Sequence, residues 1–122
     1  MSRPDDELLS FAASSFRSIW ALEVVLLLKN DRRNWSRAEL VAALRASELV
    51  VNNSLDGLLA AGMASADEQG ATFMPANEQI AERVDEIERL YRSRPNAVRR
   101  AIIAAGATSA AAFADAFKLR RD

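Results

Sequence analysis

Apolar positions fall along this chain with helical spacing, interrupted by short polar breaks and one region that departs toward strand. From about Phe11 to Lys29, Phe16, Ile19, Trp20, Leu22, Val24, Val25, Leu26, Leu27 and Leu28 cover nearly every face of a helix. An all-round apolar helix is buried on all sides, so this one is expected to serve its own core and a second surface, such as another subunit. The polar stretch "KNDRRNW" then reads as a loop. Ser36 and Glu39 form the S-x-x-E capping box, and the short helix that follows turns Leu40, Val41 and Leu44 inward. Ser47 reads as the next N-cap, and Val51, Leu55, Leu58 and Leu59 make one apolar stripe on a third helix. Gly62 is placed to end that helix in the left-handed conformation.

Beyond it, "MASAD" and "ATFMP" flank "EQG" and predict a small hairpin. A long helix runs from Asn77 to about Arg94, with Ile80, Val84, Ile87 and Tyr91 forming a seam that suits either burial or dimerisation. Pro95 opens a further helix that Gly106 stops. Phe113 and Phe117, one turn apart, predict a last helix packed back on the body. The whole of 1–122 reads as one domain, without repeats or a dividing linker.

Composition narrows the chemistry. The chain is 50% hydrophobic and 27% charged, the profile of a soluble globular protein, and it contains no cysteine and no histidine. Disulfides, thiolate zinc sites, cysteine nucleophiles and histidine bases are thereby excluded, and neither a cofactor nor enzymatic activity is expected. The acidic group Glu82, Asp85, Glu86 and Glu88 is expected to form a solvated array with Arg83 and Arg89 rather than a catalytic carboxylate pair. "MSRPDDELLS" lacks the basic-then-apolar order of a signal peptide, and the longest apolar run, Val24 to Leu28, is far short of a membrane span. A cytoplasmic, non-membrane protein is expected.

Leu40, Leu44, Ser47, Val51, Leu55, Leu58, Gly62 and Met63 resemble the pattern of bacterial winged helix-turn-helix regulators, the MarR-like ones among them. "SIWALEVVLLL" resembles the helix that precedes the motif in such proteins, and Ala112 to Phe117 is similar to the ends of small members. The resemblance covers roughly residues 15–76, leaving 77–122 as a helical extension. It implies a mostly α fold with a small β-hairpin wing and extra C-terminal helices. It further implies transcription regulation, usually as a dimer, with the third helix in the major groove and the hairpin at the minor groove. A homodimer through the first and last helices is expected.

Charge distribution strains the DNA side of that expectation. Residues 1–45 carry seven basic and six acidic side chains, 83–122 carry nine and five, and 46–82 carry six acidic and no basic ones. The anionic block holds the third helix, with Glu48, Asn52, Asn53, Asp56 and Gly57 opposite its apolar stripe, and the wing tip Asp67, Glu68, Gln69 and Gly70. Duplex affinity rests on cations against phosphates, so an anionic reading surface opposes it. Asn52 and Asn53 could read adenine edges or lie as solvated helix surface. Arg32, Arg33, Arg37 and Arg45 could grip the backbone or form a solvated face, and Arg92, Arg94, Arg99 and Arg100 could contribute from a dimer. Two functions follow: a regulator acting through protein contact by its acidic face, or a regulator of double-stranded DNA held by basic flanks. Trp20, Trp35 and Tyr91 are candidate interface anchors, with Trp20 better suited to the core and Trp35, in its polar loop, more open to contact.

Overall fold

In a computed structural model, residues 3–106 are described, with side chains from Asp5 onward. They form α1 (Arg3–Ser15), α2 (Ile19–Asn30), α3 (Arg37–Leu44), α4 (Glu48–Ala60), β1 (Ala64–Ala66), β2 (Ala71–Phe73) and α5 (Glu78–Ser93), followed by α6 over 95–106. The fold is mostly helical with one small antiparallel sheet. The expected helix from Phe113 to Phe117, and whatever follows Gly106, lie outside the described residues.

The first correction concerns the helix expected over Phe11–Lys29. It is two helices meeting at 101°. Ser18 is extended (φ −157°) and its hydroxyl accepts from the Ala21 amide, so it caps α2 and ends any continuation from α1. α1 begins much earlier than expected, with Asp5 and Asp6 in its first turn favouring the positive end of its dipole. The bend lets α1 lie on α5 while α2 packs on α3, α4 and β2. Leu22, Val24, Val25 and Leu28 of α2 are fully enclosed by their own chain. No single described helix is long and apolar enough to cross a membrane.

The expected caps of α3 and α4 form as read. The Ser36 hydroxyl accepts from the Glu39 amide, and the Glu39 carboxylate accepts from the Ser36 amide at 2.9 Å. Ser47 caps α4 by accepting from the Val50 amide. α4 closes in a Schellman turn: Gly62 (φ +72°) donates to the Leu59 carbonyl and Met63 to that of Leu58. α3 closes in the same left-handed way at Arg45 (φ +54°), a residue whose Cβ disfavours that region.

β1 and β2 pair with Ala64 opposite Phe73, Ser65 opposite Thr72 and Ala66 opposite Ala71. Trp35 adds a third, one-residue rung: its amide and carbonyl exchange 2.8 Å hydrogen bonds with Ala71. Its indole donates to the Asp31 carbonyl at 2.9 Å and is buried. Core residues come from every element: Leu8 and Ala12, the α2 face, Leu40, Val51, Leu55 and Leu58, Met63, Ala71, Phe73, Val84, Ile87, Leu90, Val98 and Ile102. Burial of the Val84–Ile87 seam inside the chain resolves the choice between core and dimer contact in favour of the core for those two residues. Leu59, expected in the α4 stripe, is 41% exposed; Ser54 is buried in its stead.

Glu88 also departs from expectation. It is 7% exposed rather than part of a solvated array. Its carboxylate accepts from Lys29 at 2.7 Å, from Asn30 at 2.7 Å and from Arg92 at 3.3 Å, and Lys29 also meets Asp85 at 3.0 Å. Burial pushes the carboxyl up, but these donors outweigh it and hold Glu88 below the usual carboxylate range. Burial likewise pulls Lys29 down, and its two carboxylate partners more than reverse this. Arg83 and Glu86 do form the expected helical pair at 3.7 Å. A second cross-link joins Tyr91 to Glu23 at 2.7 Å and to Arg99 at 3.2 Å, and Arg94 reaches Asp5 at 3.1 Å.

Candidate interaction face

The outward stripe of α4 follows from its inward one. Val51, Ser54, Leu55 and Leu58 face the core, so Leu49, Asn52, Asn53 and Asp56, at i, i+3, i+4 and i+7, face solvent. Glu48 stands beside Leu49, which is 68% exposed. Gly57, expected on the outward side, is buried instead under the side chain of Arg17, whose Cδ would lie 3.5 Å from an added Cβ.

The wing tip lies next to this stripe, and one side chain joins them. Arg37 of α3 donates through Nε to Asn52 Oδ1 at 3.0 Å and through a terminal nitrogen to the Asp67 carbonyl at 2.6 Å. Within the tip, Asp67 Oδ1 accepts from the Gln69 and Gly70 amides at 2.8 and 3.1 Å, so this carboxylate shapes the turn as well as charging it. Glu68 and Gln69 are exposed. Gly70, expected at the tip, is buried at its base, where an added Cβ would run into the Trp35 carbonyl.

The four flanking arginines separate into different roles. Arg33 is bound to Asp31 at 2.9 Å and Glu39 at 3.0 Å and lies 3.9 Å from the Trp35 ring centroid. The Asp31 hydrogen bond leads in raising its pKa further. The Ser36 amide, then Arg33, hold Glu39 below the ordinary carboxylate range. Arg32 lies 5.2 Å from the Phe73 ring centroid. Among the described residues, Arg32, Arg37 and Arg45 meet no carboxylate.

The tryptophans exchange their expected places. Trp35 is the core residue, and Trp20 is 39% exposed on the α4 side of α2. Trp20 lines a cavity of about 430 Å³ with Arg17, Asn53 and Asp56. Leu49 was recoverable from sequence, since it shares the helical spacing of Asn52, Asn53 and Asp56. Arg17 and Trp20 were not, because the α1–α2 bend that brings them to α4 depends on a cap hidden inside an apolar run.

Chemically, this face offers amides, carboxylates, a leucine and an indole. Among the described residues, no group of three or more carboxylates is placed to hold a metal ion. Comparisons with protein-family models, curated proteins and solved structures return no match.

Proposed function

We propose that this chain is a non-enzymatic winged-helix regulatory protein of the transcription-regulator type that works through protein contact. In this reading α3 and α4 are the helix-turn-helix, the β1–β2 hairpin is the wing, and Trp35 supplies the short strand that anchors it. The observation that carries the protein-contact reading is the composition of the outward α4 stripe. It presents Leu49, Asn52, Asn53 and Asp56 and no cation of its own; of the arginines against it, Arg37 is directed to Asn52 and the Asp67 carbonyl, and Arg17 lies over Gly57 at the edge of the stripe. Phosphates would meet carboxylates there, whereas a basic protein surface with an apolar anchor would find both its complements. A homodimer through the first and last helices belongs to the same proposal; Ile103 of α6 is an exposed apolar side chain.

A duplex-binding reading is favoured by a different observation: Arg32, Arg45 and Arg17 flank α3 and α4 without carboxylate partners among the described residues. A fluorescence-anisotropy titration of a mixed-sequence DNA duplex at low and physiological salt separates the two. Protein contact requires no saturable binding at about 50 mM salt, a condition that strengthens phosphate contacts. It also requires that a photocrosslinker placed at Leu49 capture a partner whose capture is lost in Glu48→Lys and Asp56→Lys. Duplex binding that falls steeply with salt and is lost in Arg37→Glu or Arg45→Glu would overturn it.

A further inference from the structure

We propose that the cavity between the α1–α2 bend and α4 binds a small zwitterion, an α-amino acid with an apolar side chain. The cavity measures about 430 Å³, inside the roughly 300–1,000 Å³ range of small-molecule sites. Trp20 and Val50 give it an apolar wall. Arg17 and Asp56 bring opposite charges to the same space, yet they form no ion pair with each other or with any described residue.

A buried hydroxyl completes the site. Ser54 is 4% exposed and lines the cavity. Its hydroxyl has no hydrogen-bond partner among the described residues, and no described polar side-chain atom is both sealed from solvent and unpartnered. The Ser54 hydroxyl therefore keeps some contact with solvent, in a residue that lines the cavity. Water reaches this hydroxyl in the free chain, and a ligand that hydrogen-bonds to it takes that water's place.

These groups select for a molecule carrying both charges. A carboxylate matches the planar fork of Arg17, an ammonium group matches Asp56, and an apolar side chain covers the Trp20 indole. An anion alone would face Asp56, and a cation alone would face Arg17. Asn53 and Asp56 also belong to the outward α4 stripe, so an occupant would sit at the edge of the contact face. The cavity belongs to the free chain, whatever that face binds.

Isothermal titration of the full chain with phenylalanine and its two half-ligands tests it. Phenylpropionate lacks the ammonium group and phenethylamine lacks the carboxylate. Phenylalanine is expected to bind, and each half-ligand to bind about tenfold or more weakly, as befits loss of one charge-assisted bond. Arg17→Gln should erase the advantage over phenethylamine, and Asp56→Asn that over phenylpropionate, with thermal melts showing both variants folded. Absence of phenylalanine binding at millimolar concentration, equal affinity for all three compounds, or preferences untouched by both variants would overturn the proposal.

Discussion

Replacing Glu88 with glutamine tests how α5 is fastened to the end of α2. The substitution keeps the shape but removes the charge that accepts from Lys29, Asn30 and Arg92. It also presents an amide donor where only donors approach. Hydrogen bonds to charged groups contribute about 1.5–3 kcal/mol each. Lys29 keeps Asp85 at 3.0 Å, which is 46% exposed and compensates in part. A net loss of about 2 kcal/mol is expected, which for a domain of this size lowers Tm by roughly 8 °C.

The acid limb of stability supplies a second readout. Glu88 is held below its ordinary value of 4.5, so its contribution is complete above that pH and disappears as pH falls through the depressed value. Lys29 is raised above 10.5, so its contribution is complete below that pH and lost as pH rises through the raised value. Urea unfolding of the wild type and Glu88→Gln should therefore differ by a constant amount from pH 6 to 8, narrowing below about 4.5. The double replacement Lys29→Met/Glu88→Leu should be milder than Glu88→Gln, since both enclosed charges are gone and the partners they leave, Asp85 and Arg92, are exposed enough for water to solvate them. A Tm change under about 2 °C, or a difference that persists unchanged into strong acid, would refute the assignment of this cluster as a fastening between helices.

Three further substitutions probe the backbone and the second cross-link. Arg45→Gly should stabilise the chain by up to about 1 kcal/mol in urea melts by relieving the left-handed conformation between α3 and α4. Gly70→Ala should cost more than about 2 kcal/mol and deprotect the Ala71 amide in hydrogen exchange, because its Cβ displaces the Trp35 carbonyl that this amide bonds. Tyr91→Phe should cost about 1 kcal/mol in the same unfolding assay by removing the hydroxyl between Glu23 and Arg99.

Local signals in the sequence were legible wherever one short window contained the whole interaction. The Ser36–Glu39 box, the Ser47 cap, the Gly62 stop and the hairpin around 67–70 each depend on residues within a few positions of one another. The bend at Phe16–Ser18 was not legible, because the apolar run on either side outweighs one serine when periodicity is averaged. From that single miss follow the misplacement of Trp20 and the omission of Arg17 from the region around α4. Trp35 was misread for a related reason: its neighbours are polar, but its backbone pairs with Ala71, far along the chain, and its side chain belongs to the core. Glu88 looked like its acidic neighbours until Lys29 and Asn30 were brought across from α2. Of the interaction face, Glu48, Asn52, Asn53, Asp56 and Glu68 could be placed from helical spacing and the turn. The internal engagement of Arg33 and Arg37 could not, since it takes tertiary geometry to decide which arginines are already occupied.

Arg37 gives the face a mechanical property as well as a charge. By bracing Asn52 and the Asp67 carbonyl with one guanidinium, it fastens helix and turn into a single jaw whose gap is set before anything arrives. Whatever docks there meets a template with fixed spacing, whose ordering entropy was spent during folding rather than on association. Cutting the brace with Arg37→Met would leave helix and turn in place but free to drift apart, so that any docking there would have to supply the ordering that folding no longer provides.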